Sequence, residues 1–179
     1  MERKYPRLVI DRNKLRNNFT QIVSRCAARG IAVAGVIKGV DGMPEIARLY
    51  RSCGALQLAT SRLEQMERWR EEGIPGPYLL LRVPGMSELP DVARLAEYSL
   101  QSDLSTMEAL DKVCAGQNVT HKVIVMADLG DLREGFWDKE EMVEACCRVE
   151  RELPHLHLAG IGVNLGCYGS IKPTLKNMG

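Results

Sequence analysis

The chain has 179 residues, of which 45% are hydrophobic and 26% are charged, with 24 basic and 23 acidic side chains. This length suits one domain with a sizeable core, since most domains have about 50–250 residues. The net charge of +1 gives no electrostatic reason to expect nucleic acid or an anionic membrane as a partner. No apolar run approaches the roughly 18 residues of a membrane span, and the N-terminus lacks a signal-peptide core, which together predict a cytoplasmic protein.

The cysteines and histidines do not follow a metal-binding pattern. The six cysteines are scattered without a Cys-x-x-Cys pair, and the spacing of His155 and His157 fits no standard zinc site. In a reducing cytosol, scattered cysteines are more often small core residues than disulfide partners. We therefore expect no metal and no disulfide framework.

The first two elements set a pattern that the rest of the chain repeats. Residues 11–29 place Leu15, Phe19 and Ile22 at helical spacing, which predicts an amphipathic helix, and Gly30 follows as a stop signal. Residues 31–38 are apolar almost throughout, as expected of a strand that is buried on both faces.

Helices and strands then alternate to the end of the chain. We predict strands over 55–60, 77–83, 98–103, 121–130 and 156–165, and helices over 44–53, 61–72, 87–97, 105–115 and 138–151. Strict alternation of this kind predicts an α/β fold with a parallel sheet.

Two parallel architectures compete, the doubly wound sheet and the (β/α)8 barrel. No Gly-x-Gly-x-x-Gly or P-loop motif follows any predicted strand, which weakens the nucleotide-binding sheet. Polar residues instead follow successive strands, where barrel enzymes place their chemistry; they are Lys38, Thr60, Ser61, Arg82, Ser102, Asp103, Asp128 and Asn164. These observations favour the barrel.

The predicted barrel is incomplete. About six β/α units are visible in residues 1–179, whereas eight strands close a barrel of this type. An open arc of six strands would expose two long edges and part of its apolar interior. We therefore expect a truncated single domain over 1–179, either a fragment or a chain that another chain completes.

Lys38 is the first candidate for chemistry. It follows a predicted apolar strand and precedes the glycine-flanked turn Gly39–Gly42. A lysine amine at the mouth of an apolar barrel suits Schiff-base chemistry. The alternative is a lysine at the end of a strand whose ammonium simply reaches water.

Residues 128–135 (DLGDLREG) and 160–169 (GIGVNLGCYG) follow the last two predicted strands. Arg133 can offer its planar guanidinium to an oxyanion or a carboxylate, or it can pair with a nearby aspartate on the surface. Asn164 and Tyr168 offer an amide and a hydroxyl, although Asn and Gly are also common turn residues. Arg82, near the end of the third strand, either contacts substrate or cofactor or forms one half of an internal ion pair.

These segments together resemble the alanine racemase-type proteins, which depend on pyridoxal phosphate (PLP). IDRNKLRNN (10–18) resembles their opening, AGVIKGVDG (34–42) their cofactor-lysine segment, and MADLGDLREGF (126–136) their Asp-x-Gly-x-x-Arg-x-Gly-Phe segment. The last of these, with GIGVNLGCYG (160–169), is most similar to the ornithine racemase-like branch. The resemblance covers essentially the whole chain.

The resemblance implies a PLP-dependent isomerase that interconverts L- and D-amino acids. It implies that Lys38 forms a Schiff base with the cofactor and later acts as one of two bases at the α-carbon. It implies that Arg133 contacts the phenolic-oxygen side of the cofactor and that Asn164, a histidine in alanine racemases proper, lies beside the pyridine ring. Arg82 and Tyr168 complete the predicted cofactor-binding set.

The resemblance also indicates what lies elsewhere in complete members. They take the phosphate pocket from the last two barrel strands and the second base, a tyrosine, from a C-terminal β domain across a homodimer interface. Two alternatives to a racemase, whole or fragmentary, stay open at this point. One is a PLP-binding cofactor-homeostasis protein without catalysis, and the other is a non-catalytic barrel fragment.

Overall fold

The computed structural model describes residues 8–166 and 171–178. Within these ranges the strands are β1 (Ala34–Val36), β2 (Gln57–Thr60), β3 (Tyr78–Leu80), β4 (Tyr98–Gln101), β5 (His121–Ala127) and β6 (Leu156–Val163). The helices are α1 (Arg12–Ala27), α2 (Pro44–Ser52), α3 (Leu63–Glu71), α4 (Leu89–Leu95), α5 (Leu104–Gln117), α6 (Lys139–Glu152) and α7 (Leu175–Met178). Short 3-10 turns cover Lys38–Val40 and Met86–Glu88.

The strands form one parallel sheet in the order β1-β2-β3-β4-β5-β6. A doubly wound sheet reverses its strand order at a switch point, whereas a barrel adds each strand beside the previous one. The strictly sequential order is therefore that of six consecutive units of a barrel. This confirms the predicted architecture, and β1 and β6 form the two edges of the described sheet.

Aspartate side chains mark where several helices begin. Asp11 accepts hydrogen bonds from the amides of Asn13 and Lys14, and Asp103 accepts one from the amide of Thr106. Asp138 starts α6 in the same way. These caps satisfy backbone N–H groups that have no partner within the first turn of a helix.

The sheet separates two apolar layers. Between the sheet and the helices lies the main core, which includes Leu58, Leu80 and Val125 from the strands and Met66 and Trp69 from α3. The concave face carries a smaller cluster of inward-pointing residues, namely Ala59, Leu79, Leu100 and Met126. This alternation of side chains along each strand places one row against the helices and the next row in the barrel interior.

The strands are shorter than the sequence predicts, because the predicted runs include parts of the connections on either side of them. The first strand covers Ala34–Val36 rather than 31–38, and the third ends at Leu80, so that Lys38 and Arg82 lie in turns. The expectation that the first strand is buried on both faces is wrong, since Val36 is 45% exposed. Its side chain points to the open concave side of the arc, at the edge of the sheet.

Two features are absent from residues 8–166 and 171–178. None of their helices combines the length and the apolar character that a membrane crossing requires. None of their histidine, cysteine and acidic side chains gather in groups of three or more that could hold a metal ion.

Candidate active site

A cavity of about 310 Å³ opens at the carboxyl ends of the strands, on the concave side of the sheet. Its polar lining comes from Lys38, Arg133 and Asn164, which follow β1, β5 and β6. Its apolar lining comes from Val36, Leu81 and Leu100. Three of the sequence-predicted site residues therefore share one pocket, although they lie as far as 126 positions apart in the chain.

Lys38 begins a tight turn directly after a fully buried residue, Ile37. The carbonyl oxygen of Ile37 accepts hydrogen bonds from the amides of Val40 and Gly42, each at 3.1 Å. The turn ends with Asp41 and Gly42 in the left-handed region, at φ 52° and 63°. The backbone of this turn is thus closed by its own hydrogen bonds.

Helix α3 supports the same turn from behind. Trp69 Nε1 donates a 2.7 Å hydrogen bond to the carbonyl oxygen of Gly42, and Gln65 Nε2 donates one of 2.9 Å to Asp41 Oδ1. Thr60, at the end of β2, donates its hydroxyl hydrogen bond to Gln65 Oε1. Thr60, Gln65 and Trp69 are buried, so these bonds form away from water, where an unpaired polar group is costly.

A compact loop after β5 carries Arg133. It is closed by two backbone hydrogen bonds, from Phe136 N to Met126 O at 2.8 Å and from Asp128 N to Phe136 O at 2.9 Å. Asp128 Oδ1 accepts from the amides of Gly130 and Leu132, at 2.8 and 3.1 Å. The side chain of Asp128 therefore stabilises the loop through hydrogen bonds to its backbone. The backbone of the loop returns to the end of β5.

Arg133, Glu134 and Asn164 form a connected polar group beside the cavity. Arg133 Nη2 lies 2.8 Å from Glu134 Oε1, and Asn164 Nδ2 donates a hydrogen bond to the same oxygen. The Glu134 side chain is 11% exposed and that of Arg133 is 37% exposed. The sequence suggested Asp128 or Asp131 as an ionic partner of Arg133, and the adjacent Glu134 is an ionic partner in the structure.

Arg82 forms an internal ion pair, which is one of the two environments that the sequence allowed. Its two terminal nitrogens donate to both carboxylate oxygens of Glu88 at 2.7 and 2.6 Å, and its Nε donates to the carbonyl oxygen of Ser61. The hydrogen bonds from Arg82 lower the pKa of Glu88 to about 2. Arg82 is absent from the described lining of the cavity, and its contact with the cofactor stays a prediction.

Tyr168, the remaining predicted site residue, lies outside the described residues. Sequence reasoning did not identify the residues that hold the site from outside, above all Gln65 and Trp69. Their one signal is a separation of four positions on a predicted helix, which places them on the same face. The apolar lining could have been found from the two-residue periodicity of the strand ends.

Sequential parallel strands, each followed by a helix, with a lysine-containing pocket at their carboxyl ends, define an α/β protein of the TIM-like barrel class. Residues 10–178 match the profile of the family described as "Alanine racemase, N-terminal domain". The chain belongs to this family.

Two curated relatives match almost the whole of this chain. The chain is 36% identical over 174 residues to an ornithine racemase from Acetoanaerobium sticklandii. The matched region covers 97% of this chain and 48% of the relative. The chain is 37% identical over 171 residues to a lysine racemase from Thermotoga maritima, covering 95% of this chain and 47% of the relative. The chain thus spans about half the length of the curated relatives it matches.

A solved structure shows the same fold. The D-threonine aldolase from Filomicrobium marinum superimposes with a TM-score of 0.79 at 20% identity, over 88% of this chain and 43% of that protein. At this identity the likeness concerns the fold alone. It agrees with the barrel that the sheet order shows.

Proposed function

We propose that this chain supplies the cofactor-lysine half of a PLP-dependent amino-acid racemase, with a basic amino acid such as ornithine or lysine as the substrate class. The observation that carries the proposal is the meeting of Lys38, Arg133 and Asn164 in one cavity. The substrate class rests on the two curated relatives, which are an ornithine racemase and a lysine racemase.

The chemistry of the donor set fits PLP. The cofactor offers an aldehyde to an amine, which Lys38 provides, and a phenolic oxygen to a cationic donor, which Arg133 provides. Its flat aromatic ring suits an apolar floor, and Val36, Leu81 and Leu100 supply one. Asn164 adds an amide that can donate or accept a hydrogen bond at the ring.

Each residue then has a defined task. PLP, when bound, withdraws electrons from the α-carbon of an amino acid and so makes its proton removable. Lys38 Nζ would hold the cofactor, and its amine would accept or return a proton on one face of that carbon. Arg133 would orient the cofactor through its planar guanidinium, and the apolar floor would exclude water from the reacting side.

Racemisation also requires a second base on the opposite face of the α-carbon. The family resemblance assigns that base to a tyrosine of a C-terminal domain, and the curated relatives are about twice as long as this chain. We therefore expect residues 1–179 alone to show negligible racemisation.

A covalent-trapping experiment tests the proposal. The chain is incubated with PLP, its visible absorption is recorded, the adduct is reduced with borohydride, and the modified lysine is located by peptide mass spectrometry. We expect the label on Lys38 and its loss in Lys38→Ala, with Lys122→Ala as a matched control at another exposed lysine. Label on a different lysine would contradict the assignment.

A second assay addresses the reaction. Racemisation of D- and L-ornithine, lysine and alanine is followed by chiral chromatography for the chain and for Lys38→Ala. Robust turnover by residues 1–179 would show that the expected need for a base from elsewhere is wrong. The two curated relatives described above are racemases, which favours a racemase over a cofactor-homeostasis protein, and the trapping experiment distinguishes both from a barrel fragment that never holds PLP. The expectations of a homodimer and of a cytoplasmic location stay predictions.

A further inference from the structure

The carboxylate of Glu134 is nearly withdrawn from water, with 11% of its side chain exposed. A carboxylate in such a place is stable when charged or strongly polar donors satisfy it. Here both described donors act on one oxygen, Oε1, which accepts from Arg133 Nη2 at 2.8 Å and from Asn164 Nδ2. These hydrogen bonds give the Glu134 side chain a structural reason to stay in this position.

Glu134 connects two different parts of the barrel. It lies on the loop after β5, whereas Asn164 follows β6, thirty positions later. Both of its partners line the cavity, but Glu134 itself is not among the lining residues. It can therefore influence a ligand in the cavity through Arg133 and Asn164.

The two hydrogen bonds restrict the orientation of both partners. A guanidinium is planar, so a bond that holds one Nη of Arg133 limits the plane in which its other N–H groups lie. A carboxamide is also planar, so a hydrogen bond from its Nδ2 fixes the direction in which its Oδ1 points. The Glu134 carboxylate thus contributes to how a cation and an amide are presented to the cavity.

We propose that Glu134 is a positioning residue, which holds Arg133 and Asn164 as one unit for binding PLP in this cavity. The inference rests on the proposed function, because it concerns how the same cavity holds the same cofactor. It goes beyond that function in assigning the role to a residue that touches neither the cofactor nor the substrate.

The test exchanges the two interacting groups. The dissociation constant for PLP is measured by absorbance titration for the unsubstituted chain, for Glu134→Gln, for Asn164→Asp and for the double variant. Glu134→Gln removes the charge opposite Arg133, and Asn164→Asp places a second carboxylate beside the first. Each should weaken binding about tenfold, the effect expected when one charge-assisted hydrogen bond is lost. The double variant restores one carboxylate and one amide, so it should bind PLP more tightly than Asn164→Asp alone.

A matched control and a spectroscopic measurement separate positioning from a general loss of structure. Glu67→Gln removes an equivalent arginine partner on the helical surface, where Glu67 lies 2.9 Å from Arg94. The pH midpoint of the visible band of bound PLP should move in Glu134→Gln and stay unchanged in Glu67→Gln. Thermal unfolding midpoints show whether each variant is folded. If Glu134→Gln does not fold, the test is whether the double variant has a lower dissociation constant for PLP than Asn164→Asp alone.

The outcomes are distinguishable. If the unsubstituted chain binds PLP at Lys38 while Glu134→Gln binds it as tightly as Glu67→Gln, the positioning role is overturned and the proposed function stands. A double variant that binds no better than its weaker parent also overturns the role. If the unsubstituted chain forms no adduct at Lys38, the proposed function fails and this inference fails with it.

Discussion

The indole of Trp69 is hydrogen-bonded through Nε1 to the carbonyl oxygen of Gly42 at 2.7 Å, which ties helix α3 to the turn that begins at Lys38. Trp69 is fully buried and packs edge-on against Tyr78, with the ring centroids 5.4 Å apart. Gly42 has a φ of 63°, and a Cβ there would lie 2.7 Å from the Gln65 side chain. The helix and the turn therefore constrain each other, and the backbone at Lys38 depends on both.

Trp69→Phe should destabilise the chain and weaken its binding of PLP. The substitution keeps an aromatic ring but leaves the Gly42 carbonyl without its donor, which costs about 1–3 kcal/mol for a buried group. Urea denaturation gives the free energy of unfolding, and absorbance titration gives the dissociation constant for PLP. Trp137→Phe is the control, because Trp137 is 69% exposed and a surface change of this kind stays within about 0.5 kcal/mol. Equal losses in the two variants would contradict the role assigned to the Trp69 hydrogen bond.

Substitutions in the ion pair of Arg82 and Glu88, unlike Trp69→Phe, should leave the binding of PLP nearly unchanged. Both side chains are about one-third exposed, so solvent screening limits the contribution of the pair to roughly 1 kcal/mol. Arg82→Lys and Glu88→Gln should lower the free energy of unfolding by similar small amounts, and neither should change the dissociation constant for PLP more than about twofold. A loss of PLP affinity in Arg82→Lys alone would restore the cofactor contact that the sequence first suggested.

The sequence predicts the barrel and most of the site because both depend on local pattern. The alternation of apolar strands and amphipathic helices gives the element order, and the rule that barrel chemistry follows the strands selects Lys38 and Asn164. What the sequence does not show is pairing between distant side chains. The contact of Gln65 with Asp41 spans 24 positions, and nothing in either local segment indicates it.

Arg82 illustrates the same limit at short range. A guanidinium at a strand end suits either a ligand or an internal carboxylate, and local pattern does not distinguish the two. The 3-10 turn over Met86–Glu88 brings Glu88 back toward Arg82, and only the backbone path shows this. The predicted burial of both faces of the first strand is wrong for a related reason. Apolar composition does not reveal that Val36 faces the open side of the arc.

His121 should make the stability of the fold depend on pH. It is buried between the sheet and the helices, 2.9 Å from Ser99 Oγ, and burial lowers its pKa from 6.5 to about 4. The unfolded chain therefore binds the proton first as the pH falls. The stability that comes from a neutral His121 is fully present above pH 6.5 and is lost progressively as the pH falls toward 4, by about 3 kcal/mol in total.

The free energy of unfolding measured in urea between pH 7 and pH 4 tests this dependence. His121→Gln should flatten the pH profile relative to the unsubstituted chain, because it removes the titrating imidazole. His157→Gln, at a side chain that is 63% exposed, should leave the profile unchanged. Parallel profiles for the unsubstituted chain and His121→Gln would show that the buried imidazole does not govern this part of the pH dependence.

Gly135→Ala should disrupt the loop that presents Arg133. Gly135 has a φ of 123°, and a Cβ there would lie 2.5 Å from the backbone nitrogen of Asp128 and 2.6 Å from the carbonyl carbon of Ala127. Backbone atoms cannot move aside as a flexible side chain can, so the loop must detach from the end of β5. We expect a loss of about 2 kcal/mol or more in the free energy of unfolding and PLP binding weakened more than about tenfold.

Gly116→Ala is the matched control for that substitution. Gly116 lies within helix α5, and a Cβ there would meet no atom within 4 Å. Alanine should therefore raise the free energy of unfolding by about 0.5–1 kcal/mol through its higher helix propensity. If the two variants bind PLP equally well, the return of the loop through Gly135 is not what holds Arg133 at the cavity. If only Gly135→Ala loses binding while it keeps a cooperative unfolding transition, the loop acts on the cavity directly.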